Sequence, residues 1–251
     1  MSKYEQDILN AIGLRGRISV NELADLLKVS DQTIRRIVKP MVARGELQKV
    51  HGAIVSTQSV IDPPFLARMN HNREEKIAIA GEVARLVNDG QSLAIDTGST
   101  SGFIAQALRH HRDLTLVTNS AFVASTLAMI PGNKVFMAGT QLRSHDGAAF
   151  DRAAFDVIAS LQVDYAILSA STIHPQRGFL VQEQCEVDIT KAMMSIADQR
   201  VMAVDHSKFS ERKAALALPN LQEGDYLIVD QAPDIRFDDL ISHLTIKIAS
   251  N

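Results

Sequence analysis

The chain has 251 residues, 46% of them hydrophobic and 22% charged, which is the composition of a globular protein with room for two modest domains. A net charge of −3 excludes a protein that coats nucleic acid along its whole length. One cysteine, Cys185, excludes an internal disulfide and a multi-cysteine zinc site. The polar start and the lack of any apolar run near ~20 residues lead us to expect a cytoplasmic protein without a membrane span.

The charge is unevenly spread. Residues 1–55 carry nine Lys and Arg against six Asp and Glu, a balance of +3 that leaves −6 for the rest. A basic head on an acidic body fits a DNA reader joined to a part that does not touch DNA.

In chain order, Ile8, Leu9, Ile12 and Leu14 place a first helix over about 4–14. Ser19-Val20-Asn21-Glu22 has capping-box spacing and opens a second short helix with Leu23, Leu26 and Leu27 as its apolar residues. Ser30 caps a third, whose inner face is Ile34, Ile37 or Val38, and Met41, and which Gly45 ends. Pro40 lacks the N–H of an intrahelical bond, so a kink or an early end near residue 39 is expected. Residues 47–55 alternate well enough for a small hairpin. Three helices and a hairpin make a winged helix-turn-helix, which reads the major groove of double-stranded operator DNA with the start of its third helix. Ser30, Gln32, Thr33, Arg35 and Arg36 stand there, followed by Lys39, with Lys49 and His51 on the hairpin. Gln addresses adenine and Arg guanine bidentately, whereas Lys39, Lys49 and His51 suit phosphates. A solvated Arg pair, or a winged helix used only for protein contacts, is the plainer alternative.

These residues resemble a known signature. Ser30-Asp-Gln-Thr-Ile-Arg-Arg36 and Gly45-Glu-Leu-Gln-Lys-Val-His-Gly52-Ala53 are similar to the N-terminal motif of the DeoR family of bacterial regulators. Ile37-Val38 stands where that family usually has Asp-Leu, and Ala53 where it usually has a second glycine.

Ser56 to Pro64 is polar and ends in a diproline. This divides the chain into a DNA-binding domain (1–56), a linker with the start of a connecting helix (57–75) and an effector domain (76–251). Phe65 to Val87 is predicted as one helix, with Arg68, Asn70, His71, Arg73 and Lys76 near its start. From Gln91 onward, short apolar strands alternate with helices. The strands fall at 92–95, 114–117, 134–137, 165–168, 201–204, 226–229 and about 244–248. That is an α/β domain, Rossmann-like, with a mostly parallel sheet covered on both faces.

Ligands of such sheets bind beyond the carboxyl ends of the strands. After the first strand comes Asp96-Thr-Gly98-Ser99-Thr100, a turn whose backbone and hydroxyls suit a phosphate at a helix start. Thr118-Asn119-Ser120, Gly139, and Asp205-His-Ser-Lys208 follow later strands, and Lys208 supplies a cation. Read singly, each turn is a helix cap or a surface pair. Together they mark a rim for a small effector. No cofactor is expected, nor a metal, since His110-His111 is adjacent rather than at helical ligand spacing.

The rim motifs are also similar to the DeoR-type sensor domain, itself similar to ribose-5-phosphate isomerase A. Asp96 to Thr100, Thr118 to Ser120 and Asp205 to Phe209 carry that resemblance. It implies a repressor of carbohydrate genes controlled by a phosphorylated sugar, working as a homodimer or homotetramer. The chain departs from the pattern where Ser169 and Thr172 replace glycines, where His174 replaces an acid, and where Gly139 stands alone. His174 is either part of a reshaped pocket or a surface histidine. The alternative function is a sugar-phosphate isomerase with Asp96 as base, but no second paired carboxylate stands at a strand end.

Overall fold

The computed structural model describes residues 3–15, 17–44, 46–50, 53–56, 65–211, 214 and 216–249. It divides into two compact units, Met1–Arg68 and Met69–Asn251.

The first unit holds α1 (Lys3–Arg15), β1 (Arg17–Ser19), α2 (Val20–Leu27), α3 (Asp31–Ala43), β2 (Leu47–Val50) and β3 (Ala53–Ser56). Ser19 and Glu22 close the expected capping box at the start of α2, each accepting from the other's backbone N–H. Ser30 caps α3, its hydroxyl accepting from the Thr33 N–H at 3.2 Å. Ile34, Val38 and Met41 recur every three or four residues and are buried against Ile8, Ile12, Leu23, Leu47 and Ile54. Ile37 stays half-buried, which settles the choice at that turn in favour of Val38.

Two expectations are corrected here. The hairpin is part of a three-stranded antiparallel sheet of order β1-β3-β2. The sequence reading missed β1 because it is three residues long with one buried side chain, Ile18, opposite Ile54. The third helix does not stop near residue 39 but runs through Pro40 to Ala43. Proline costs one bond, to the carbonyl four residues earlier. The next turn is intact, with Arg44 donating to the Pro40 carbonyl at 2.9 Å, and the Pro40 ring sits on the exposed face. Gly45, His51, Gly52 and the diproline lie outside the described residues.

The single helix predicted over 65–87 is two, α4 (Phe65–Met69) and α5 (Arg73–Leu86). Asn72 breaks them in a left-handed conformation (φ 48°), which Asn tolerates better than most residues.

The second unit continues with β4 (Ser92–Ile95), α6 (Ser99–Ala107), β5 (Thr115–Thr118), α7 (Ala121–Ala128), β6 (Lys134–Met137), α8 (Arg152–Ala159) and β7 (Val163–Leu168). Then come β8 (Thr172–His174), β9 (Gly178–Val181), α9 (Gln184–Ser195), β10 (Ala197–Ala203), β11 (Leu216–Ala217), β12 (Tyr226–Val229), α10 (Asp238–Ile241) and β13 (Thr245–Ile248). Seven strands form one sheet of order β13-β12-β10-β7-β4-β5-β6, every neighbouring pair parallel. Side chains alternate between its faces. Leu93 and Ile95 of β4 join α5, α6 and α7 on one side, whereas Ala94 joins the layer containing α8 and α9 on the other.

A second sheet, β11-β9-β8, is antiparallel. Its strands have two to four residues and no polar alternation, all of β8 and β9 being buried, so no period marked them.

The chain begins the large sheet at β4, moves outward through β5 and β6, and returns to β7 on the other side of β4. The order reverses there, and the crevice beyond the carboxyl ends of β4 and β7 is where such folds take ligands.

Candidate functional site

On α3, Gln32, Arg35, Arg36 and Lys39 are exposed together, with Thr33 half-buried beside them. Lys49 is exposed on β2, and His51 lies outside the described residues. Ser30 is occupied by its capping role, and its hydroxyl also lies 2.9 Å from that of Thr33. Arg44 is held within its own unit. Its guanidinium donates to Glu46 at 2.7 Å and to Glu5 at 2.8 Å, which strengthens its hold on its proton. Arg35 and Arg36 therefore form the positive face of α3, distinct from Arg44, which is tied to Glu5 and Glu46.

In the second unit, Asp96 follows β4 and is buried. Its carboxylate accepts from the Ser101 hydroxyl and from both the backbone N–H (2.7 Å) and hydroxyl (3.0 Å) of Ser169, which follows β7. One carboxylate thus bridges β4, the first turn of α6 and β7 across the crevice. Gly98, Ser99 and Thr100 are buried at the start of α6.

Thr118, Asn119 and Ser120 are fully buried after β5. Two of them serve the backbone. The Thr118 hydroxyl accepts from the Ser120 N–H, and the Ser120 hydroxyl caps α7 by accepting from Val123. Asn119 donates its amide to the Ala149 carbonyl at 3.1 Å, which leaves its Oδ1 buried without a hydrogen-bond partner. Thr97 Oγ1, on the neighbouring β4 turn, is in the same condition. Buried polar atoms are nearly always paired, so two orphans at adjacent strand ends are notable.

Gly139 has a packing reason. Its φ is 102°, and a Cβ there would lie 2.3 Å from the Ala149 side chain. Asp151 folds the next loop over, accepting from Thr140 and Gln141 while capping α8. Those donors hold its carboxyl down at about 2.

Asp205 follows β10 and is buried. It accepts from the Ser207 backbone and hydroxyl and, at 2.8 Å, from the Asn72 amide. Burial alone would raise its carboxyl. The Ser207 hydroxyl, Lys208, Asn72 and Lys76 outweigh that and hold it below the usual range. The Lys208 carbonyl accepts from Thr172 at 3.1 Å, which fastens this turn to the small sheet. His174 is buried on β8, with Nδ1 accepting from the Gln176 N–H, so that atom is spent within its own turn.

Sequence reading placed Lys76 among the polar residues at the start of the connecting helix, but passed over Asn72 and Asp230. Lys76 is a buried lysine whose ammonium donates to the His71 carbonyl, and it falls on one helical face with Ile79, Ala80 and Val83. That spacing was available as a signal. Asn72 and Asp230 carried none, because their roles depend on contacts remote in sequence, whereas Thr97 stood inside the turn after the first strand. Arg143 pins the β6–α8 loop to the start of α9 through Asp146, Glu183 and Glu186 and lies 4.3 Å over the Phe150 ring. Burial beside that cluster pushes the Cys185 thiol up, away from reactivity.

His206 donates its backbone N–H to Asp230 at 2.6 Å, and its ring Nδ1 meets the other oxygen of the same carboxylate. Burial pulls the ring's pKa down, but Asp230, with Asp205 and Glu75, outweighs it and the net shift is upward. A raised histidine stabilises fully below its ordinary value near ~6.5 and loses that contribution as pH rises through its folded value. Measured by urea unfolding, the stability lost in His206→Gln should therefore shrink as pH rises above the ordinary histidine range. A loss that grows with pH would contradict the pairing.

A winged helix-turn-helix followed by a parallel α/β unit with a polar rim defines a transcriptional regulator with a DNA reader and a sensor. The comparisons agree. The chain matches the DeoR-like helix-turn-helix domain over residues 5–60 and the DeoR C terminal sensor domain over 71–231. It is 31% identical over 241 residues to the HTH-type transcriptional repressor CsqR of Escherichia coli (strain K12), covering 96% of this chain and 92% of that one. It is 32% identical over 228 residues to the glycerol-3-phosphate regulon repressor of the same organism, covering 91% and 90%. Among solved structures, ribose 5-phosphate isomerase A from Methanocaldococcus jannaschii overlaps loosely, with 17% identity, 56% of each chain and a TM-score of 0.41. The chain belongs to the DeoR family of transcriptional regulators. These two relatives are transcriptional repressors rather than enzymes, so the isomerase alternative falls. No helix among the described residues is long and apolar enough to cross a membrane.

Proposed function

We propose that this regulator represses carbohydrate-metabolism genes from the cytoplasm, under control of a phosphorylated sugar or related metabolite bound at the rim of its second unit. Two buried atoms without a hydrogen-bond partner at adjacent strand ends, Asn119 Oδ1 and Thr97 Oγ1, carry this reading. An amide oxygen is an acceptor only and requires a donor such as a ligand hydroxyl, whereas a threonine hydroxyl also donates, as a phosphate oxygen requires. The α6 start with Gly98, Ser99 and Thr100 adds backbone N–H groups, and Lys208 adds charge. In the first unit, Gln32, Arg35 and Arg36 address base edges, while Lys39, Lys49 and His51 address phosphates of operator half-sites. Paired half-sites call for a homodimer or homotetramer.

Calorimetry on the full chain tests the sensor. Ribose 5-phosphate, fructose 6-phosphate and glycerol 3-phosphate serve as probes. At least one should bind, and Asn119→Ala should weaken it about tenfold, the worth of a buried hydrogen bond. Binding unaffected by Asn119→Ala and by Thr97→Val would place the site elsewhere.

A further inference from the structure

We infer that Ser169 sets the ligand selectivity of this sensor by donating its hydroxyl to Asp96 across the crevice between β4 and β7, withdrawing a carboxylate acceptor from the ligand. The inference rests on the reading of the rim as a sugar-phosphate site.

The strand order reverses between β4 and β7, so the crevice there is the fold's natural ligand entrance. Asp96 from one side and Ser169 from the other meet across it. An ionised carboxylate has about four acceptor positions. Ser101 takes one on Oδ1, and the N–H and hydroxyl of Ser169 take two on Oδ2. The Ser169 hydroxyl is also pressed against the backbone of the β4–α6 turn, since a Cβ on Gly98 would lie 2.9 Å from it. The protein's own hydroxyl thus stands beside a buried anion that would otherwise accept strongly from a sugar hydroxyl. Bonds to a charged acceptor are worth about twice neutral ones. At the neighbouring strand ends, Asn119 Oδ1 and Thr97 Oγ1 remain unfilled. The ligand that fits is one whose hydroxyl is read by a neutral amide, with the carboxylate kept for the scaffold.

Ser169 acts through Asp96, so it is a positioning residue, and its signature is a change in selectivity. Calorimetry on the full chain would use inorganic phosphate as the hydroxyl-poor reference, against ribose 5-phosphate, fructose 6-phosphate and glycerol 3-phosphate. In Ser169→Ala and Ser169→Gly, the preference for at least one sugar phosphate over inorganic phosphate should rise about tenfold, the scale of one bond to a charged acceptor. The gain should vanish when Asp96→Asn is added, because the released site is the carboxylate's. Ratios unchanged in both Ser169 variants, while wild type binds a sugar phosphate through Asn119, would overturn the inference and leave the sensor reading standing. A gain that survives Asp96→Asn would also overturn it. No binding of any probe by wild type or variants would overturn the sensor reading itself, and the inference with it.

Discussion

Arg36→Ala and Arg35→Ala should each lower operator affinity by roughly 5- to 150-fold, the equivalent of about 1–3 kcal/mol for a bidentate base contact. Both side chains are exposed on α3. Folding of the first unit should be untouched, because its core is formed by Ile34, Val38 and Met41 on the opposite face. The double variant should bind no better than to random DNA. Anisotropy titrations at several salt concentrations separate the two possible roles. Loss of a base contact narrows the gap between operator and random sequence, whereas loss of a phosphate contact weakens both and lowers the salt slope by about one. Arg44→Ala is the internal control. Its guanidinium is bound to Glu5 and Glu46, so its loss should affect stability of the unit before DNA affinity.

Asp96→Ala should destabilise the second unit by about 1–3 kcal/mol, because the half-buried Ser169 N–H is left without its acceptor and two hydroxyls must find others. Asp96 is 6% exposed, so water cannot readily substitute. Urea unfolding followed in the full chain would show the second unit's transition moving to lower denaturant. Asp96→Asn keeps one oxygen and should cost less. An unmoved midpoint in Asp96→Ala would mean that the bridge from β4 to β7 is not formed in solution. This result also bears on how the ligand is read, since a carboxylate that holds three donors from its own chain is first a tie between elements.

What the sequence revealed depended on periodicity and caps. Ser19 with Glu22, and Ser30 ahead of Ile34, Val38 and Met41, specify α2 and α3 through spacing alone, and the structure keeps them. The parallel strands were legible as short apolar runs because both faces of the sheet are covered. Besides β1, three features escaped. The β8, β9 and β11 sheet has strands too short to show a period. The break at Asn72 is set by a backbone conformation and by a bond to Asp205, 133 positions away. Pro40 was read by its local cost, which one lost bond on an exposed helix face does not raise high enough to end α3. The rim was legible as a set of strand-end motifs, yet which atoms are free for a ligand was not. Thr118, Ser120 and much of Asp96 turn out to be committed to the fold, while Thr97, which no motif singled out, keeps an unfilled hydroxyl. Commitment of that kind is a property of contacts between remote residues, and no single window of sequence contains it.

The most direct test of a reader controlled by a sensor is fluorescence anisotropy of the full-length protein on DNA from its own upstream region, with and without ribose 5-phosphate, fructose 6-phosphate and glycerol 3-phosphate. The account predicts specific, salt-sensitive binding that one of these phosphorylated sugars shifts and its unphosphorylated form does not. It also predicts that Asn119→Ala keeps the DNA affinity and loses the shift. Specific DNA binding that no phosphorylated metabolite alters, or a response that persists in Asn119→Ala together with Thr97→Val, would contradict it.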